Sequence, residues 1–222
     1  MLLKRLQDLI GGIYDVSVAH NVYDFLVTDR TSLPACAQGR GPTDEELIVA
    51  QPEEGAGDEI AMALYLDPQV LARLDDADPM ESLHHGNVAD YWTALEGVSH
   101  FLYLAWNAGH DKPVSLLELE MQAEVDKYVA SYWLLRRQFP QRFPAELLRL
   151  LFQRTRIDPQ LAAERAGLYR AASGYAERFC RRLECSLRRA RGRSEADVLA
   201  ELRRFYRFSN ARKVAYIERT GR

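Results

Sequence analysis

The feature that most constrains the fold is a helical stretch that is apolar around almost its whole circumference. Between residues 91 and 107, helical spacing puts apolar side chains on nearly every side. One narrow polar strip interrupts them, and it consists of Thr93, Glu96, His100, Tyr103 and Asn107. A helix with this pattern is normally buried. We therefore expect the strip to face another part of the chain and not water.

The following sequence predicts a second helix that packs against the first. Asn87 precedes the first helix, which is predicted over about residues 88–108, and a glycine follows it. Ser115 and Glu118 form an S-x-x-E capping box for a second helix over about residues 116–138. Because the connection between the two helices is short, we expect an antiparallel hairpin.

The second helix carries a polar strip of its own, bordered by apolar residues on both sides. The strip consists of Glu120, Glu124, Lys127 and Ser131. The remaining polar positions are predicted to face water, and they are Glu118, Gln122, Asp126, Arg136 and Arg137. In an antiparallel hairpin the two strips meet, so that Glu96 and His100 lie opposite Glu120 and Glu124.

Two hypotheses account for the facing strips, and the sequence leaves both open. In the first, a buried polar network fixes the packing of the helices. Its members are Glu96, His100, Tyr103, Glu120, Glu124 and Lys127. In the second, a divalent transition metal such as Zn²⁺, Mn²⁺ or Fe²⁺ is bound by carboxylate and imidazole groups, as is common in helical bundles. Its ligands are Glu96, His100, Glu120 and Glu124.

Standard catalytic motifs give no further guidance. The spacings E-x-x-x-H and E-x-x-x-E differ from the HExxH of zinc proteases, and the chain contains no glycine-rich phosphate loop and no G-x-S-x-G motif. The three cysteines, Cys36, Cys180 and Cys185, form no C-x-x-C pair. The sequence therefore indicates neither a disulfide framework nor a thiolate zinc site.

The rest of the chain predicts an α+β protein in which helices dominate. β-branched and aromatic residues are dense from Val16 to Thr28 and from Glu46 to Leu66, and the turn-rich segment 52–57 predicts an antiparallel hairpin. Beyond residue 80 the pattern is helical to the end. We predict a small N-terminal antiparallel β region followed by a predominantly α-helical bundle, with residues 1–80 and 81–222 packed together as one unit.

Charge is unevenly distributed along the chain. Residues 178–222 carry fourteen Arg and Lys against five Asp and Glu, although the whole chain has a net charge of −3. Such a basic end indicates a charged partner, or it packs on the acidic part of the same chain. The predicted partner surface consists of Arg188, Arg189, Arg191 and Arg193.

These observations predict an accessory or protein-interaction component of a larger cytosolic assembly. The alternative is a metal-dependent hydrolase or oxidase that uses the Glu/His strip between the two helices. The sequence leaves open whether the protein is an enzyme. We expect a protein partner, with nucleic acid bound through the basic C-terminal region as the less favoured possibility, and no membrane association. A cytoplasmic location is the prediction for a chain with these cysteines and no apolar stretch long enough to span a bilayer.

Overall fold

The structure, a computed structural model, describes residues 1–33, 43–50, 61–153, 162–188 and 195–220. Helices dominate these ranges, and a small sheet lies near the N-terminus, which confirms the predicted α+β class. The strands are β1 (Leu26–Val27), β2 (Glu45–Ala50) and β3 (Ala61–Leu66). The helices are α1 (Leu2–Tyr14), α2 (Pro68–Asp76), α3 (Val88–Ala108), α4 (Leu116–Gln138), α5 (Leu147–Gln153), α6 (Ala163–Arg188), α7 (Glu195–Tyr206) and α8 (Asn210–Thr220).

The sheet is mixed and has the strand order β1-β3-β2. β2 and β3 pair antiparallel as predicted, whereas the two-residue β1 pairs parallel to β3. The stretch from Val16 to Thr28 contributes only β1, because Asn21 and Asp24 form a reciprocal capping box around a 3-10 turn at Val22–Phe25. Such side-chain bonds offer the backbone an alternative to a strand. The predicted hairpin segment 52–57 lies outside the described residues.

Helices α3 and α4 form the predicted antiparallel hairpin. The end of α3 contacts the start of α4, where Tyr103 bonds Glu118, and the start of α3 contacts the end of α4, where Trp92 bonds Ser131. The Ser115 hydroxyl accepts a hydrogen bond from the Glu118 amide and so caps α4 as predicted. One hydrophobic cluster joins the hairpin to α1, the sheet and the C-terminal helices, so its members come from both sides of residue 80.

No helix within the described ranges combines the length and the apolar composition that crossing a bilayer requires. The most apolar one, α3, is instead enclosed by other elements of the chain. Its buried residues include Tyr91, Leu95, Val98, Phe101 and Tyr103. The apolar circumference recognised in the sequence therefore corresponds to a helix at the centre of the core.

A glycine in α3 allows the sheet to approach this helix closely. A Cβ atom at Gly97 would lie 2.8 Å from Leu64 Cδ1 and 3.0 Å from Glu45 Cγ. Leu64 is fully buried on β3, and Glu45 is the first residue of β2. The absence of a side chain at Gly97 thus lets β2 place Glu45 against α3.

We predict that Gly97→Ala destabilises the protein by about 1–3 kcal/mol, because the added methyl group overpacks the contact between α3 and the sheet. The matched control is Gly174→Ala in α6, where an added Cβ meets no atom within 4 Å. This control should be neutral or stabilising by up to about 1 kcal/mol, since alanine favours the helix. Urea unfolding of both variants measures the two effects. Equal stability changes in the two variants would contradict the prediction.

Candidate metal centre

His100 lies at the centre of the facing strips. The residue is 4% exposed, and its Nδ1 atom lies 3.3 Å from Glu45 Oε1, within hydrogen-bonding distance of that carboxylate. On the other side of the ring, Nε2 lies 3.7 Å from Glu120 Oε2 and has no hydrogen-bond partner among the described residues. The imidazole is therefore held through one nitrogen, while the other points towards a carboxylate without bonding to it.

Three of the four predicted metal ligands lie close together. Glu96, His100 and Glu120 each offer one ligand atom, and these atoms all lie within 4.8 Å of one another. No other group of three or more His, Cys, Asp or Glu side chains in the described part of the chain meets this spacing. Glu96 and His100 follow each other by one turn of α3, and Glu120 comes from α4. The arrangement can hold one metal ion between the helices.

Lys127 and the fourth predicted ligand, Glu124, form the edge of the same cluster. The ammonium of Lys127 lies 2.6 Å from Glu96 Oε2 and 2.9 Å from Glu124 Oε1. The second oxygen of Glu124 is buried and makes no hydrogen bond within the described residues. Every predicted member of the polar network except Tyr103 therefore lies in this cluster.

Burial and neighbouring charges shift the pKa values of the carboxyl groups in this cluster. Burial raises the pKa of Glu120 to about 7, against the opposing charge of His100. Burial also raises the pKa of Glu45. Burial disfavours the charged form of Glu96 as well, but the charges of Lys127 and His100 outweigh it and lower the pKa of Glu96.

The pKa of His100 is also raised, but by its neighbours and against the effect of burial. Burial disfavours its charged form, but the hydrogen bond and charge of Glu45, together with Glu120, raise the pKa of His100 to about 9. Without a metal, a proton is therefore retained on the ring at neutral pH. In total, four carboxyl groups face two cationic side chains in this part of the structure. The excess of acid favours the binding of a further cation.

Tyr103 belongs to a second, separate buried cluster. Its hydroxyl donates to Glu118 Oε1 at 2.6 Å and accepts from the Lys213 ammonium at 2.9 Å. The same ammonium donates to Gln122 Oε1 at 2.6 Å and lies 4.4 Å from the centre of the Tyr103 ring. Lys213 comes from α8 and is fully buried. It therefore fastens the C-terminal helix to the α3–α4 hairpin.

The prediction that Glu118, Gln122 and Asp126 face water is wrong. These residues are 3%, 0% and 1% exposed, respectively. Asp126 accepts hydrogen bonds of 2.5 Å from Tyr14 on α1 and from Ser99 on α3. The partners lie far away in the sequence, so that helical spacing within α4 gave no sign of them.

The predicted basic partner surface is only partly within the described residues. Arg188 donates to Glu184 at 3.2 Å and lies over the Phe143 ring, while Arg189, Arg191 and Arg193 lie outside the described ranges. Other arginines of the basic end bind within the chain. Arg203 and Arg207 donate to backbone carbonyls at the C-terminal end of α1. This contact matches the alternative that the two ends of the chain pack on each other.

Two charged residues that complete these clusters, Glu45 and Lys213, were not predicted from the sequence. Glu45 begins β2 in a run of acidic residues typical of a solvated loop, and Lys213 follows an arginine in a short basic segment. Neither position has a local signal that separates it from a surface charge. For Lys213 the available sign was compositional, since buried carboxylates on the hairpin require cationic partners from elsewhere. For Glu45, itself a carboxylate, there was no such sign.

Comparison of the chain with protein-family models, with curated proteins and with solved structures gives no significant match. The chemistry of the Glu96/His100/Glu120 group is therefore interpreted from its own geometry. That geometry combines a free imidazole nitrogen, two nearby carboxylates and an excess of negative charge.

We predict that Lys213 makes stability depend on pH above neutrality. Burial lowers the pKa of Lys213 to about 7, although the charges of Glu118 and Asp126 favour its charged form. The pKa of a lysine in the unfolded chain is about 10.4. At pH values between the folded and the unfolded pKa, the unfolded chain therefore binds more protons than the folded chain, and stability rises with pH. This contribution amounts to at most about 1.4 kcal/mol per pH unit.

The variant Lys213→Met lacks this contribution and shares every other titrating group with the wild-type chain. Urea unfolding at several pH values between pH 7 and pH 9.5 should therefore show a difference in unfolding free energy that grows in favour of the wild type. A difference that stays constant over this range would contradict the assignment.

Proposed function

We propose that this protein is a metal-dependent enzyme that binds one divalent transition metal through Glu96, His100 and Glu120. The observation that carries the proposal is the state of His100. Glu45 holds Nδ1, and the unpartnered Nε2 lies 3.7 Å from Glu120 within the Glu96/His100/Glu120 group. Histidines that bind metals usually donate their other ring nitrogen to a carboxylate, which fixes the tautomer and orients the ring. Glu45 has this position.

The ligand set suits Mn²⁺, Fe²⁺ or Zn²⁺. Carboxylate oxygens are hard ligands and imidazole is a borderline one, so a mixed set favours these ions over Ca²⁺ or Cu⁺. Three protein ligands leave coordination positions open, as in catalytic rather than structural zinc sites. An ion in such a site supplies Lewis acidity and activates bound water for hydrolysis, or oxygen for oxidation when the ion is iron.

The chain's own residues divide the remaining tasks. The Glu96 side chain is 26% exposed, whereas the His100 side chain is 6% exposed, so the group is most open to solvent on the Glu96 side. Glu45 orients the imidazole from β2. At the far end of the hairpin, the Trp92 indole donates to Ser131 at 3.0 Å and helps to hold α3 against α4.

The purely structural hypothesis explains fewer of these features. A protonated His100 between Glu45 and Glu120 contributes to packing, and Lys127 neutralises Glu96 and Glu124. A network selected for stability alone is expected to satisfy its buried polar atoms. His100 Nε2 and Glu124 Oε2 are left without hydrogen bonds. A metal ion bound to His100 Nε2 would give this nitrogen the partner that it lacks.

The interaction hypothesis stays a second proposal. Its support is the charge asymmetry of the chain and the predicted surface of Arg188, Arg189, Arg191 and Arg193. Some of these basic side chains bind within the chain, as Arg207 does at the C-terminal end of α1. Metal binding has the more specific support and is therefore the preferred proposal.

The proposal predicts stoichiometric metal binding that depends on His100. Purified protein freed of metal with a chelator should bind one equivalent of Mn²⁺, Fe²⁺ or Zn²⁺ in a calorimetric titration. His100→Ala and Glu120→Gln should each abolish this binding, because each removes one of three ligands. His100→Ala should also destabilise the protein by about 1–3 kcal/mol, since buried carboxylates lose a partner.

The matched control is His85→Ala, which removes an exposed histidine outside the group. It should bind metal as the wild type does. A wild-type chain that binds none of the three ions, or a folded His100→Ala chain that still binds one equivalent, would refute the proposed site. Loss of stability alone, without any change in metal content, would favour the structural network.

A further inference from the structure

Lys127 shares a carboxylate with the proposed metal. Its ammonium lies 2.6 Å from Glu96 Oε2, and Glu96 is one of the three residues that can hold the ion. The ammonium is a cation already present in the cluster, and the Lys127 residue is 8% exposed. Glu96 therefore faces two positions for positive charge, one filled by Lys127 and one within the Glu96/His100/Glu120 group.

We propose that Lys127 competes with the metal for Glu96 and thereby keeps metal binding weak and reversible. This inference rests on the proposed function. Without metal, Lys127 neutralises Glu96 and links α4 to α3. When the metal binds, Glu96 exchanges the ammonium for the ion. The site then responds to the concentration of available metal instead of holding its ion permanently.

Lys127 keeps one ion-pair partner after this exchange. Glu124 is its other partner, at 2.9 Å on the same helix, and the second oxygen of Glu124 makes no hydrogen bond within the described residues. Lys127 can thus keep one ion pair when it releases Glu96. Since the Lys127–Glu96 pair joins two helices and the Lys127–Glu124 pair does not, the metal replaces a salt bridge between α3 and α4.

Removal of the competitor should strengthen metal binding, a gain that general damage to the fold does not produce. Lys127→Met keeps most of the apolar stem and removes the ammonium. We expect it to bind Mn²⁺ or Zn²⁺ at least about tenfold more tightly than the wild type in a calorimetric titration. Lys127→Arg keeps the charge and should stay within about threefold of the wild type. Lys112→Met removes an exposed lysine and should leave the affinity unchanged.

A double variant tests whether Lys127 acts through Glu96. Glu96→Gln removes one of the three ligands and should abolish binding, and adding Lys127→Met to that variant should not restore it, because the carboxylate for which Lys127 competes is gone. A folded Lys127→Met chain that binds metal no more tightly than the wild type would overturn the inference and leave the proposed function intact. Metal binding restored by Lys127→Met in the Glu96→Gln background would also overturn competition for Glu96.

The proposed function can fail separately. If neither the wild type nor Lys127→Met binds Mn²⁺ or Zn²⁺, both proposals are refuted. If only Lys127→Met binds, the competition is supported, whereas the proposed function of the wild type is refuted.

The wild-type chain provides a second test that needs no stable variant. Lysine acetylation followed by mass spectrometry, with and without saturating Mn²⁺, should show faster modification of Lys127 when metal is present, because the ammonium has lost one of its two partners. Lys4, an exposed lysine paired with Asp8, is the internal control and should not change. Unchanged or slower modification of Lys127 in the presence of metal would overturn the competition.

Discussion

The structure depends on a helix that carries charged residues on two opposite sides and buries both. On α4, Glu120, Glu124 and Lys127 occupy one side, and helical spacing places Glu118, Gln122 and Asp126 about 180° away. Burial of charge is costly unless partners satisfy it. The rest of the chain supplies these partners: α3 on both sides, α1 through Tyr14 and α8 through Lys213.

The two clusters on α4 differ in a way that bears on function. Within the described residues, the buried polar atoms of the Lys213 cluster have hydrogen-bond partners, and its lysine is enclosed by aromatic rings. The cluster around His100 leaves one imidazole nitrogen and one carboxylate oxygen unbonded. Buried polar atoms without a hydrogen bond also occur elsewhere among the described residues, for example at Tyr91 and Tyr206. The metal proposal is therefore supported by where the unbonded imidazole nitrogen lies, 3.7 Å from Glu120 within a group of three residues that can hold an ion.

The proposed metal site also depends on contacts outside the hairpin. Gly97 allows β2 to reach α3, and only this approach lets Glu45 orient the ring of His100. Lys127 and Glu45 then act on opposite ends of the cluster, one pairing with Glu96 and the other fixing the imidazole. Affinity for a metal would thus be set by residues that are not themselves ligands, as is usual for groups that surround a metal site.

The sequence by itself determined which residues share a helical face. The periodicity of α3 predicted its burial and its polar strip, and the capping residues around α4 predicted the hairpin and the meeting of Glu96 and His100 with Glu120. These features follow from local backbone geometry, which a few consecutive residues specify. The tertiary structure alone decided that the opposite side of α4 is buried and that Glu45, Tyr14 and Lys213 complete the two clusters. A buried charge and a surface charge have the same local pattern, because the difference between them lies in which distant element covers the helix.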